Sequence, residues 1–217
     1  MPKSTTDLKA TKTKWADARA DHGAQVAGAA VQVVLRGLQA ALVALIDAQR
    51  SGSVLVACAW FTSGPLLAAL QRAQRRGVLV LVLLQKERWL QRPRSAWHRA
   101  LIAQYTALGT HATLPLFGGA ACLRDVEAVR CVGKLAVRQD AARMHNKFVV
   151  LCDAQGAAQA VWTGSANFSA AAEDSFENAV VIREPTCAAA YLAEFRTLLL
   201  LSEPLSSTSR TMRPTYK

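Results

Sequence analysis

Residues 54–84 restrict the fold more than any other stretch of the chain. Residues 54–60 (VLVACAW) are a short apolar run, and residues 78–84 (VLVLVLL) are a second one with no break. Runs of this length bounded by turn residues read as strands. One without polar alternation belongs in a sheet covered on both faces. Between the two runs, Thr62-Ser63-Gly64-Pro65 opens a helix, since a hydroxyl can cap it and proline suits its first turn. The helix, LLAALQRAQRR, stops at Gly77, a residue that takes the left-handed position after a helix without strain. Strand, helix and strand joined in this way form a βαβ unit, with parallel neighbours and a right-handed crossover. The expected fold class is therefore α/β: a mixed, largely parallel sheet flanked by helices on both faces, one domain per chain.

The flanking segments fit that frame. Residues 24–49 have helix-forming composition, with Gln32, Arg36 and Gln39 at i, i+4 and i+7 on one stripe and Val, Leu, Ala and Ile elsewhere. This predicts one long, mostly buried helix. A membrane span of that length is disfavoured by Arg36 at its centre, a position that costs about 2.5–3.5 kcal/mol in lipid. Residues 95–108 read as a helix ended by Gly109, residues 110–116 as a strand, residues 117–130 as a loop with a short element, and residues 131–137 as a further strand. A final helix starts at Pro185, with Tyr191, Leu192, Phe195, Leu198 and Leu199 at helical spacing. The expected organisation is a flexible basic arm over 1–23, a catalytic domain over 24–201 and a flexible Ser/Thr/Pro-rich tail over 202–217.

Charge bounds the partners. Among 217 residues, 26 Lys and Arg stand against 15 Asp and Glu, a net +11 that attracts polyanions, whether nucleic acid or an anionic membrane surface. A hydrophobic fraction of 52% excludes disorder for the bulk of the chain. The five cysteines, Cys58, Cys122, Cys131, Cys152 and Cys187, fit no zinc spacing. Cys58 and Cys152 fall inside expected strands, as small core residues do. A Cys122–Cys131 disulfide or half metal site is the less favoured reading of that pair. The first residues carry no apolar stretch of the secretory kind, so a cytoplasmic location is the expectation.

Chemistry concentrates between residues 143 and 182. His145 and Lys147 lie two apart on the strand MHNKFVVLC and share a face. A second strand leads into Gly164-Ser165-Ala166-Asn167-Phe168-Ser169, where Ser165 and Asn167 also share a side. Gly164 permits close approach of a ligand or another backbone. Glu177 precedes a third strand, NAVVI, and a carboxylate there can orient an imidazole. A lone H-x-K is weak, and GSANFS by itself is equally a turn with a helix cap at Ser169. Together they supply an imidazole, an ammonium, a hydroxyl, an amide and a carboxylate, a set suited to attack on a phosphate ester. Arg143, Arg138 and Lys134 make the approach basic.

HNKFVVLCD, TGSANFS and FENAVVI together resemble the HKD signature of the phospholipase D superfamily. WFTSGPLLAALQRAQRRGVLVLVLL resembles its first βαβ unit, and the likeness covers residues 24–201. With a single H-x-K, the chain looks most like the small homodimeric bacterial endonucleases of that superfamily. A related single-motif group is the mitochondrial cardiolipin hydrolase and Zucchini-type nucleases. The resemblance implies a homodimer with one composite site on its two-fold axis and a phosphohistidine on one His145. The other His145 would protonate the leaving oxygen. Lys147 and Asn167 would hold phosphate oxygens, Ser165 would add a hydrogen bond, and Glu177 would accept from the imidazole. Arg143 joins Ser165 as an expected substrate contact, and neither metal nor cofactor is implied.

One position departs from the signature. Cys152 stands where the family has Asp, and Asp153 follows it. Strand parity turns Cys152 away from His145, so the family residue there is expected to be structural, while Asp153 is expected to start the turn DAQG. Three functions remain in view. The first is metal-independent phosphodiester hydrolysis of DNA or RNA. The second is hydrolysis of an anionic phospholipid such as cardiolipin, with the helix expected over 24–49 lying at the membrane. The third is a catalytically silent module that holds nucleic acid.

Overall fold

The computed structural model describes residues 25–27, 30–115, 122–135 and 143–207. The expected arm over 1–23 lies outside them, as do Arg138 and residues 208–217 of the expected tail. In chain order the elements are β1 (Gln25–Ala27), β2 (Val31–Val34), α1 (Leu38–Ala48), β3 (Ser53–Cys58), α2 (Gly64–Arg75), β4 (Leu79–Gln85), α3 (Arg88–Gln91) and α4 (Ala96–Thr106). Then follow β5 (Thr110–Pro115), β6 (Cys122–Glu127), β7 (Val129–Val132), β8 (Lys147–Cys152), β9 (Ala158–Gly164), α5 (Ala170–Glu173), β10 (Ala179–Ile182), α6 (Pro185–Leu200) and β11 (Glu203–Pro204).

The βαβ unit forms as its punctuation requires. Ser63 caps α2 by accepting from the Leu66 amide at 3.2 Å, and β3 and β4 pair in parallel from Ser53↔Leu79 to Cys58↔Leu84. Around this unit the main sheet runs β1-β2-β10-β9-β8-β3-β4-β7-β11. Only β3–β4 and β4–β7 are parallel, and the other six neighbouring pairs are antiparallel. The sheet is mixed and flanked by helices, but the expectation of a largely parallel sheet is overturned. A parallel pair needs a long crossover, whereas a short turn delivers an antiparallel one. Between β8 and β9 the sequence turns back tightly at Asp153, whose Oδ1 accepts from the amides of Gln155 and Ala157 at 3.0 and 2.9 Å. That turn starts where the sequence placed it.

Alternation across the strands makes two cores. On one face, Leu42 and Ile46 of α1, Leu66 and Leu70 of α2 and Leu101 of α4 cover Val54, Val56, Val80, Val82, Val149 and Leu151. On the other, Leu192, Phe195 and Leu199 of α6 cover Leu55, Leu81, Leu83, Phe148, Val150 and Val161. Buried apolar surface of this kind supplies most of the favourable free energy of folding.

Three further expectations are corrected. Residues 24–49 are not one helix. Val31, Val33 and Val34 build a strand against β10, with Val33 opposite Val180, and α1 begins only after Gly37, whose φ of +62° no helix continues through. The stripe of Gln32, Arg36 and Gln39 therefore does not exist. The described part of 117–130, residues 122–130, holds strands, because β6 pairs with β5 in a separate two-stranded sheet and β7 starts at Val129. Lastly, residues 202–207 belong to the fold. β11 extends the sheet beside β7, and Glu203 forms a buried ion pair with Lys86. Arg130, also buried, donates from Nε to Ser202 Oγ at 2.6 Å. Among the described residues no helix is long and apolar enough to cross a membrane.

Candidate active site

Antiparallel pairing decides where the polar residues meet. The register Cys58↔Lys147 puts the start of β8 at the end of β3, and Phe148↔Thr163 puts the end of β9 beside it. The register Gly164↔Ala179 then brings the start of β10 to the same edge. His145 and Lys147 enter β8 there, Ser165 and Asn167 leave β9 there, and Glu177 precedes β10 there. Gly164 permits the last approach, since a Cβ on it would stand 2.1 Å from the carbonyl oxygen of Asn178. The close neighbour of Gly164 is thus another backbone.

Lys147 and His145 are in contact. The ammonium lies 3.2 Å from His145 Nδ1 and 3.3 Å from Nε2, and it donates to the His145 carbonyl at 2.9 Å. Burial lowers the imidazole pKa below its ordinary value, and the positive charges of Lys147 and then Arg143 lower it further. Burial also lowers the Lys147 pKa, with Cys58 and Glu177 acting against it. Arg143 is exposed beside the imidazole.

Ser165 donates to Glu177 Oε2 and accepts from the Asn178 amide at 3.1 Å. Glu177 is thus held by Ser165; no hydrogen bond from the His145 imidazole to it forms within the chain. Asn167 sits at the same strand end, but its Oδ1 is buried without a hydrogen-bond partner, and the residue lines a small cavity with Leu38, Gln39 and Glu173. Among the expected site residues, His145 contacts Lys147 and Ser165 contacts Glu177, while the Asn167 Oδ1 is bonded to neither pair.

Cys152 is fully buried on the α6 face with Leu55, Phe148 and Val150, while Val149 and Leu151 share the other face. Lys147 has the parity of Val149, so the position where Cys152 stands is remote from the chemistry. All five cysteines are free thiols. Among the described residues no group of three His, Cys, Asp or Glu side chains could hold a metal ion.

Sequence reasoning missed Trp60. Its indole meets the His145 ring edge-on, with centroids 5.3 Å apart and planes at 79°, and its Nε1 donates to Glu87 at 3.2 Å. The available signal was its place just past the end of β3, the strand that β8 pairs with. Chemically, this edge offers an imidazole of depressed proton affinity beside an ammonium, a pairing in which the ring can act as a nucleophile and the cation can hold an anion.

Comparison with known proteins gives the family and the fold. The family described as "Cardiolipin synthase, PLD-like domain" matches residues 42–199. Among solved structures, the phospholipase D family member Nuc from Salmonella typhimurium superposes with a TM-score of 0.52 at 20% identity, over 86% of this chain and 98% of that one. NucT from Helicobacter pylori superposes with a TM-score of 0.55 at 16% identity, over 78% of this chain and 94% of that one. At these identities the likeness is one of fold. No curated protein sequence matches the chain significantly.

Proposed function

Because the chain belongs to the PLD-like domain family of the cardiolipin synthase type, we propose that it is a phosphodiester hydrolase, most simply a metal-independent endonuclease of DNA or RNA. The observation that carries the reading is the contact between His145 and Lys147 at the strand ends, with the proton affinity of the imidazole lowered by burial, Lys147 and Arg143. In the proposed reaction one ring nitrogen of His145 attacks phosphorus and the P–O bond to the leaving group breaks. A second, protonated imidazole gives its proton to the leaving oxygen. One neutral and one protonated histidine are what two copies of His145 supply when they flank a single phosphate across a homodimer. Water then attacks the phosphohistidine, loses its proton to the second imidazole and releases His145. Lys147 balances the charge on the phosphoryl oxygens as it grows. Ser165, with Glu177 behind it, and Arg143 are proposed to contact the substrate strand. Asn167 is proposed to join once substrate or the second protomer is present.

A net charge of +11 favours a polyanionic strand as substrate. The family description favours a second reading, turnover of an anionic phospholipid. The long apolar helix that would have rested on a membrane is instead two strands and the 11-residue α1. The test is incubation of the purified protein with labelled DNA, RNA and cardiolipin vesicles in EDTA, beside His145→Ala. The reading expects cleavage of nucleic acid that the chelator spares and the substitution abolishes. Cleavage that needs added metal, or that survives His145→Ala, would refute the mechanism. Turnover of the vesicles alone would establish the second reading.

A further inference from the structure

Residues 86–99 (KERWLQRPRSAWHR) link β4 to α4, and the chemistry above leaves them unused. Arg88, Arg92, Arg94 and Arg99 are all exposed, and among the described residues none is paired with a carboxylate. No acidic residue occurs between Arg88 and Gly109. Rings interleave with these arginines. His98 stacks on Trp89 with centroids 5.0 Å apart and planes at 21°, Trp97 lies 6.3 Å from Trp89, and Trp97 is 55% exposed. A large aromatic this exposed contributes little to the core and offers a face to a ligand.

Trp89 and Trp97 border a cavity of about 140 Å³ whose lining also includes Trp60, Glu87 and Tyr105. Trp60 joins the cavity to the candidate active site, because its indole also touches the His145 ring. The cavity is sized for one flat heterocycle and falls far short of a pair of acyl chains. Glu87 at its wall repels a phosphate headgroup but accepts from the amino group of a base. The phosphates belong outside, with the arginines.

We propose that this cavity receives an unpaired base, so that the preferred substrate is a single strand of nucleic acid running from His145 past Trp60 and over the Arg88–Arg99 surface. The inference rests on the phosphodiesterase reading and names its substrate class. Aromatic faces that stack successive bases beside a cationic track are how proteins hold single strands without reading sequence. A base in a duplex is already stacked on both sides and must be flipped out, at a cost, to enter such a cavity.

The test uses the full chain carrying His145→Ala, so that the probe is not consumed, with a fluorescein-labelled oligo-dA 12-mer and its duplex with oligo-dT followed by anisotropy. The single strand is expected to bind the more tightly. Trp97→Ala is expected to weaken that binding about tenfold, the scale of one lost base stack. Trp97→Phe should restore most of the affinity, and Arg94→Gln with Arg99→Gln should flatten its salt dependence. A thermal melt controls for folding, which an exposed tryptophan should not disturb. Equal affinity for duplex and single strand overturns the proposal. So does an unchanged affinity in Trp97→Ala, or binding confined to anionic lipid vesicles. Hydrolysis of bis(p-nitrophenyl) phosphate by the unmodified chain is scored separately. Its absence removes the proposed chemistry, whereas hydrolysis with no single-strand preference removes only this inference.

Discussion

His145 has two cations for neighbours and one aromatic edge, and its behaviour follows from them. Burial, Lys147 and Arg143 all disfavour the imidazolium, so the neutral form persists below the ordinary imidazole pKa. The acid limb of the activity profile should therefore fall below the unperturbed value of about 6.5. Arg143→Ala removes one of the two positive neighbours and should move that limb toward higher pH, as a kcat/KM profile on a small diester would show. The same shift has a sign in stability. The unfolded imidazole binds its proton more readily than the folded one. The contribution is therefore present above the unfolded pKa and lost as pH falls through the folded one. His145→Ala itself should lower kcat by about 10⁴-fold or more, the scale of removing a covalent nucleophile.

Elements deliver these side chains, and two contacts between elements carry predictions. Gly164→Ala would press a methyl into the Asn178 carbonyl at 2.1 Å, and Ala179 Cα would stand 2.7 Å away. Overpacking of this kind costs about 1–3 kcal/mol. Because Asn178 adjoins Glu177, the substitution should lower activity as well as the midpoint of a denaturant melt. At the lateral edge of the sheet formed by β11, Lys86 and Glu203 are paired with almost no exposure. Glu203→Gln leaves a buried ammonium uncompensated and should destabilise the chain by about 3–5 kcal/mol, read in the same melt. That edge was also the least legible in the sequence. The strands at 53–58, 79–85, 147–152 and 179–182 could be read because each holds an apolar run next to turn residues. Glu203 could not, because its partner lies 117 residues away and its own surroundings are Ser and Pro. Residues 24–49 misled for a different reason. Alanine-rich composition suggested a helix, but β-branched Val31, Val33 and Val34 have a sheet edge to pair with, and that tertiary partner overrides local propensity. At the site, parity correctly turned Cys152 away, whereas His145 lies just before β8 and meets Lys147 because the ammonium reaches back to its ring and carbonyl. Parity could not show that Glu177 is bound to Ser165, or that Trp60 reaches the imidazole, since both depend on how strand ends are aligned.

For the whole molecule, the arrangement of the sheet places one His145 and one Lys147 at an exposed edge, which is half of what the proposed reaction uses. A second copy is proposed to supply the acid. In solution the chain should then scatter light as a dimer, and substrate binding should weaken steeply with salt, as it does for any protein that displaces counterions from a strand. The central claim is that His145 becomes covalently attached to phosphorus. The direct measurement is an alkaline quench of the reaction during turnover in EDTA, followed by mass spectrometry of the peptide that carries His145. The account predicts a phosphorus-containing adduct on that histidine in the unmodified protein and none in His145→Ala. Turnover with an unmodified His145 peptide at every quench time, or an adduct on another residue, would contradict it.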